Sequence, residues 1–388
     1  MDVAQGGLIT IVACGAFTGE KLAELSLGAG GTVADLRAAV QEATGFKQVQ
    51  LLNGNQPLAI GDTLSGAELV DGSHVGVVVK RTPPVATCSA DSTARVWDAE
   101  TGECSRVFRG HTRSLNAVAF GPGEALLATA SSDYTAKIWC AATGTCRATL
   151  SGHAHYVNAA AFSHDGHLLA TGAAEACTHH SQMRHQKGTA WVWDVESGAR
   201  TLKLEGHEGY VNSVVFSRDG RTVLTASNDH TARLWDLTAG QCVESFTGHS
   251  DYVTSAALSP DGRSVATSSD DKTARLWDMA SPKECSNALK GHGAELRGVA
   301  FSPDGACVAT ASKDRMAKIW LTASGACRQT FVGHRGPVHS VSFSPGGAEV
   351  VTSSTDRSAR IWDVEKAKCL MVLSGHTSHV FSACFPYW

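Results

Sequence analysis

The stretch Gly206-His207-Glu208-Gly209-Tyr210-Val211-Asn212-Ser213-Val214-Val215-Phe216, continued by Ser217-Arg218-Asp219-Gly220 and Arg221-Thr222-Val223-Leu224-Thr225 and ending at Asp229 and Trp235-Asp236, decides the fold. Two short apolar runs are parted by an Asp-Gly turn, and a third run leads into the tryptophan, so the segment reads as successive β-hairpins. Its ends recur along the chain. The histidines of Gly-His pairs stand at His111, His153, His207, His249, His292, His334 and His376, spaced by 42, 54, 42, 43, 42 and 42 residues. Trp97, Trp139, Trp193, Trp235, Trp277, Trp320 and Trp362 keep a matching rhythm of 42, 54, 42, 42, 43 and 42. A fixed period near 42 residues is the mark of a repeat architecture, in which no unit buries its faces alone.

Five of these tryptophans precede Asp, and with the Gly-His pairs they carry a resemblance to the WD-repeat family over residues 85–388. The resemblance implies four-stranded blades around a channel. The fold class expected is mainly β: a seven-bladed β-propeller preceded by a small α+β, ubiquitin-like (β-grasp) domain. The seventh blade is composite. The chain after Pro84 opens in mid-unit, in the blade at 85–108, and a strand at 379–385 supplies the missing piece, so that pairing of the two ends closes the array and removes its open edge.

In six units a Thr stands four residues before an Asp, and that Asp six before the Trp. The sets are His111, Thr129, Asp133, Trp139; His207, Thr225, Asp229, Trp235; His249, Thr267, Asp271, Trp277; His292, Thr310, Asp314, Trp320; His334, Thr352, Asp356, Trp362; and His376, Thr87, Asp91, Trp97. Histidine, hydroxyl and carboxylate invite comparison with a catalytic triad. Six copies of an active site are implausible, and the family resemblance implies instead a buried hydrogen-bonded network that ties the strands together. The third unit keeps His153, Thr171 and Trp193, but its Asp position falls on Lys187 after 12 extra residues, and it is expected to be the weakest. Those residues form an inserted loop at 173–187. Its Cys177, His179, His180 and His185 match no zinc spacing, so no metal and no cofactor are expected.

Three residues past each histidine the chain enters an inner strand at the rim of one face, with Ser114, Tyr156, Tyr210, Tyr252, Glu295, Pro337 and His379 as occupants. Aromatic residues give large contact area at low entropic cost, so Tyr156, Tyr210 and Tyr252, flanked by Glu208, Asn228, Asp251 and Asp270, form the candidate partner-binding site. Arg113, Arg297 and Arg335 make the rest of the rim more basic.

Residues 1–80 alternate as a hairpin, with strands at 8–13 and 21–27 and a turn at 17–20. Thr32 then caps a helix at 33–43 that Gly45 ends, and strands follow at 48–52 and 74–79. The order resembles the ubiquitin superfold. The positions aligned with its recognition face are Leu52, Gly76 and Val78, and the linker 81–84 stands where a conjugating Gly-Gly end would be.

The 388 residues, 43 % hydrophobic and 18 % charged, are enough for two globular domains. A net charge of −4 without a basic stripe argues against direct nucleic-acid binding. Met1, Asp2 and Val3 open no signal sequence, and no apolar run reaches the roughly 18 residues of a membrane span, so a cytoplasmic or nuclear protein is expected. Twelve cysteines without a CxxC pair, six of them at one repeated position, read as reduced and mostly buried thiols.

The functional expectation is a non-enzymatic scaffold or adaptor for other proteins or peptides, monomeric within a larger complex. No phosphate loop or HExxH motif suggests an enzyme. Two alternatives come from resemblance. One is a substrate receptor of the ubiquitin system, although the Arg that such propellers often carry after Trp-Asp is replaced by Glu100, Glu196, Thr238, Ala280 and Glu365. The other is a ribosome-assembly factor of the ubiquitin-like plus propeller type, with Glu20 as the acidic residue offered to a metal.

Overall fold

The computed structural model describes residues 8–15, 20–28, 30–44, 49–79, 82–174, 187–282 and 285–386. The chain divides into two compact units, Met1–Thr82 and Pro83–Trp388. Among the described residues no helix is long and apolar enough to cross a membrane.

In the first unit, strands Leu8–Gly15 (β1), Lys21–Gly28 (β2), Val49–Asn53 (β3), Gln56–Pro57 (β4) and Ser73–Val79 (β5) make one mixed sheet in the order β2-β1-β5-β3-β4. Helix α1, Val33–Thr44, starts where Thr32 Oγ1 accepts from the Asp35 amide at 3.2 Å and Asp35 Oδ2 accepts from the Thr32 amide at 2.8 Å. This reciprocal cap satisfies two donors that a helix start leaves open. Val33, Leu36 and Val40 then face Ile11, Leu51, Val75 and Val77 in the core, while Ala43 is exposed, one turn beyond the sheet's cover. The expected turn residues 17–19 and Gly45 lie outside the described residues, as do Lys80 and Arg81.

Among the described residues the second unit contains seven four-stranded antiparallel sheets. The fourth is representative, with strands Val211–Phe216, Thr222–Ser227, Thr231–Asp236 and Gln241–Thr247 running from the inside outward. One sheet joins the start and the end of the second unit. Its inner strand Val380–Cys384 pairs with Val85–Ser89, Ala383 opposite Thr87, and Thr93–Trp97 and Cys104–Arg109 follow outward. We count this composite sheet as the first and number the others in chain order.

Each inner strand touches the next, and the composite sheet's inner strand touches those of both the seventh and the second, so the contacts close on themselves. The core lies between sheets. Leu224, Ala226, Leu234 and Phe246 of the fourth pack against Val253, Ala256 and Trp277 of the fifth, which is why alternate residues on both faces are apolar. The cysteines correct one expectation: of the six at the repeated position, Cys146, Cys242 and Cys327 are exposed and Cys104, Cys285 and Cys369 half-buried, because the repeat places them on outermost strands, and among the described residues only Cys88 and Cys307 are buried.

Removing residues 379–388 strips the composite sheet of its inner strand and uncovers Val85, Phe108 and their neighbours. Loss of a cooperative thermal transition, or recovery only in the insoluble fraction, is the expected result; a melting midpoint equal to that of the intact chain would show that the closure carries no stability.

Candidate functional site

Gly-His loops and the turns between second and third strands come together at one end of each sheet. In the fourth sheet, Trp235 Nε1–H donates to Thr225 Oγ1 at 2.8 Å, and the distances from His207 are 2.7 Å to Thr225 Oγ1 through Nε2 and 2.7 Å to Asp229 Oδ2 through Nδ1. Indole can only donate, so the threonine oxygen accepts from it; the ionised carboxylate can only accept, so a neutral His207 must turn its one N–H toward Asp229, and its Nε2 accepts the threonine proton. That leaves Nδ1–H to donate to the carboxylate. Asp229 also accepts from the amides of Glu208 and Thr231 and from the Thr231 hydroxyl.

The same set recurs with distances of 2.7 to 2.9 Å around Thr87, Thr129, Thr267, Thr310 and Thr352. Each of these hydroxyls is already engaged by both indole and imidazole and is buried. None is presented as a nucleophile. Glycine before the histidine is needed for close approach: Gly110 has φ +149°, and a Cβ there would stand 3.1 Å from Trp139.

Burial works to raise the Asp133 carboxyl, but hydrogen bonds from Thr135 and His111 outweigh it and hold the group at about 2. Burial lowers His111, His207 and His376 below the usual imidazole range despite their acidic partners. Neutral imidazole beside ionised carboxylate agrees with the proton assignment drawn from donor chemistry.

At the rim, Tyr156 and Tyr252 are exposed at 39 % and 45 %, but Tyr210 is half-buried, its hydroxyl 3.4 Å from His155 Nε2. The exposed aromatic patch therefore includes residues the tyrosine spacing missed. Tyr134 lies 5.7 Å from Tyr156 and 5.9 Å from His155, centroid to centroid, with the Arg113 guanidinium 5.7 Å from its ring. His230 packs edge-on against Tyr252 at 5.7 Å. Tyr134 and His230 each follow a network aspartate directly, and that regularity was available in the sequence.

The polar flank divides. Glu208 is exposed, whereas Asn228 Oδ1 is taken by Asn212 Nδ2 at 2.7 Å and Asp270 Oδ2 faces Arg297 at 3.4 Å. Asp251 caps the amide of its neighbour Tyr252 at 2.8 Å. Burial raises the Asp270 carboxyl, with Arg297 opposing. In the first unit, Leu52 is half-exposed opposite Gly76, and Val78 pairs through its backbone with Gln50, its side chain lying outside the described residues. Of the 173–187 insertion, Ala173 and Ala174 continue a strand, while 175–186, with Cys177, His179, His180 and His185, lie outside the described residues. Among the described residues no group of three or more metal-ligating side chains assembles.

The sequence model of the WD domain, G-beta repeat family matches residues 102–140, 144–194, 198–236, 240–278, 283–320 and 325–363, more than half of the chain. The chain belongs to the WD-repeat family. Over 148 residues it is 35 % identical to the nuclear distribution protein PAC1-2 of Uncinocarpus reesii, a match covering 38 % of this chain and 32 % of that one. It is 33 % identical to the nuclear distribution protein PAC1 of Arthroderma benhamiae over the same shares. A 52-residue segment, 13 % of this chain and 10 % of its relative, is 46 % identical to WD repeat-containing protein 37 of Mus musculus. The chain thus spans about a third of the length of the PAC1 relatives it matches.

The third WD repeat departs from the rest in two linked ways. Six repeats carry a cation two residues before the tryptophan, such as Arg233, 3.8 Å from Asp229; the third carries Trp191 and has also lost its aspartate. Trp191 instead stacks on His153 at 4.0 Å and 21°, with the Arg200 guanidinium 4.4 Å from its ring. Among the described residues His153 Nδ1 is buried without a hydrogen-bond partner, and burial followed by Arg200 lowers its pKa to about 3. Acid and base are missing together, and aromatic packing holds the histidine.

Two outcomes are expected. In an unfolded chain these histidines titrate near ~6.5, whereas folding lowers His111, His153, His207 and His376, so below that pH the unfolded state binds more protons and stability falls. The network aspartates, lowered by folding, lose their contribution only below ~3.9. Urea midpoints should therefore hold steady above about pH 7 and decline continuously toward pH 4; a midpoint that rises on acidification would contradict the neutral-imidazole assignment. Trp191→Ala should cost about 3–5 kcal/mol by cavity formation, and the swap Lys187→Asp with Trp191→Arg should recover part of that loss in chemical denaturation.

Proposed function

We propose that this chain is a seven-bladed propeller joined to a ubiquitin-like domain and that it acts as a non-enzymatic scaffold, gripping a partner protein through the aromatic crescent of its second to fifth repeats. WD-repeat proteins generally bind other proteins and are generally not enzymes. The observation that carries the reading is the exposure of Tyr134, Tyr156 and Tyr252, 38 %, 39 % and 45 %, on loops anchored by buried networks. Rigid, amphipathic rings held on a firm frame lose little freedom when covered, which suits them as anchors. The sheet order β2-β1-β5-β3-β4 with one helix supports the ubiquitin-like reading of the first unit, and two modules in one chain suit an adaptor that holds two partners.

Affinity capture from lysate, wild type against Tyr134→Ala, Tyr156→Ala and Tyr252→Ala combined, tests the crescent after melting curves confirm equal folding. Partners retained by the wild type should be lost from the variant. An unchanged set of partners would remove the crescent from consideration and direct attention to Leu52 and its sheet.

A further inference from the structure

The residue after each network aspartate stands at the tip of the turn between second and third strands, and on the fifth, sixth and seventh repeats it is Lys272, Arg315 and Arg357. All three are exposed, on backbone held at φ 69° to 72° by the aspartate's bonds. A fourth exposed cation, Arg335, follows His334 in the loop entering the seventh sheet, and its amide donates to Asp356 Oδ2 at 3.0 Å, which sets it beside Arg357. Among the described residues none of the four forms an ion pair. On the first, second and fourth repeats the same two positions hold Ser92 and Thr377, Tyr134 and Thr112, and His230 and Glu208.

Neighbouring charges leave the four cations uncompensated. Arg297 faces Asp270 and Lys313 faces Glu295, each pair at 3.4 Å. Each network aspartate of these repeats has a third-strand cation in its own repeat, Arg275, Lys318 or Arg360. Asp251, half-buried and accepting from the Tyr252 amide at 2.8 Å, is the acid left over on this arc.

We propose that Lys272, Arg315, Arg335 and Arg357 form a docking arc for an acidic segment of a partner protein, an inference that rests on this face being the partner-binding one. Charge complementarity selects the occupant, and attraction between exposed charges speeds encounter and fixes register. The distribution of the aromatic rings separates a protein segment from a nucleic acid. Bases and phosphates alternate along a single strand, so a site for one interleaves aromatic and cationic side chains. Here the two are segregated: Tyr134 and Tyr156 stand on the second and third repeats, the cations on the fifth to seventh, and Tyr252 and Lys272 meet on the fifth. A polypeptide can carry its carboxylates in one run and its apolar side chains in the next. A net charge of −4 on the chain also repels any polyanion that extends beyond the arc.

Fluorescence anisotropy of labelled hexaglutamate with the full chain provides the test. Binding should saturate at about 20 mM salt and weaken about tenfold or more at about 300 mM, where exposed charges are screened. Reversing Lys272, Arg315, Arg335 and Arg357 to Glu together should raise Kd about tenfold or more at the lower salt. Reversing Arg218, Arg221, Lys366 and Lys368, which lie at the opposite end of the sheets, changes net charge equally and should leave Kd nearly unchanged. Tyr134→Ala, Tyr156→Ala and Tyr252→Ala combined should also bind hexaglutamate like the wild type, so failure of the aromatic crescent and failure of the basic arc are read separately. Melting curves check folding; should the fourfold reversal not fold, Lys272→Gln with Arg315→Gln and Arg335→Gln with Arg357→Gln replace it, each pair with an expected loss of about threefold. Absence of hexaglutamate binding by the wild type, equal losses in the two reversed variants, no loss in the arc variants, or tighter binding of an oligothymidylate of equal charge would each overturn the proposal.

Discussion

The threonine hydroxyl at the centre of each repeat is the point on which the rest depends. Thr225 Oγ1 joins an indole on the third strand to an imidazole on the loop that enters the sheet, and the imidazole joins a carboxylate in the turn beyond. Indole, hydroxyl and imidazole are shielded from water, so each donor and acceptor left unpaired would cost about 1–3 kcal/mol. The protons can be arranged in only one order, from tryptophan toward aspartate, and that order fixes which loop meets which turn. Cores of alanine, valine and leucine could slide by two residues and still be buried. The directed chain of hydrogen bonds cannot.

Sheets so specified still need joining to one another, and inner-strand polar side chains supply part of this. Asn116 Nδ2 donates to Val157 O of the next sheet at 3.0 Å, Asn212 to Val253 O at 3.0 Å, and Thr254 Oγ1 to Leu296 O at 2.9 Å. At the composite sheet the same duty falls to Ser340 Oγ, which accepts from the Ala383 amide at 2.8 Å. This seam also matches the others in span, 43 residues against 41 and 42, and the long separation lies inside the composite sheet, where Ala383 pairs with Thr87.

The repeat and its network were legible because they depend on residue types that occur in fixed order: glycine for close approach to an indole, histidine and aspartate for the buried pair, tryptophan for the donor. What escaped was any property set by three-dimensional neighbours. Tyr210 reads like Tyr156 and Tyr252, but His155 covers it. Asn228 and Asp270 read as available polar groups, yet Asn212 and Arg297 occupy them. The third repeat was expected to be weak from its missing aspartate, while the compensating stack of Trp191 on His153 required seeing that the basic position had changed as well.

The network also determines where variable side chains are displayed. Asp91, Asp133, Asp229, Asp271, Asp314 and Asp356 each close their turn by accepting from the amide two residues on, which forces the residue between into the left-handed region, φ from 65° to 73°. That residue is Ser92, Tyr134, His230, Lys272, Arg315 or Arg357. Left-handed backbone is unfavourable for such side chains, and the aspartate's bonds sustain it. These residues make no contribution to the buried network, so their identity is free to vary from turn to turn. Here the variation is ordered: an aromatic residue on the second repeat, histidine on the fourth, and cations on the fifth, sixth and seventh. A frame that repeats six times in hydrogen bonds thus carries one face that does not repeat in chemistry, aromatic along one arc and basic along the other.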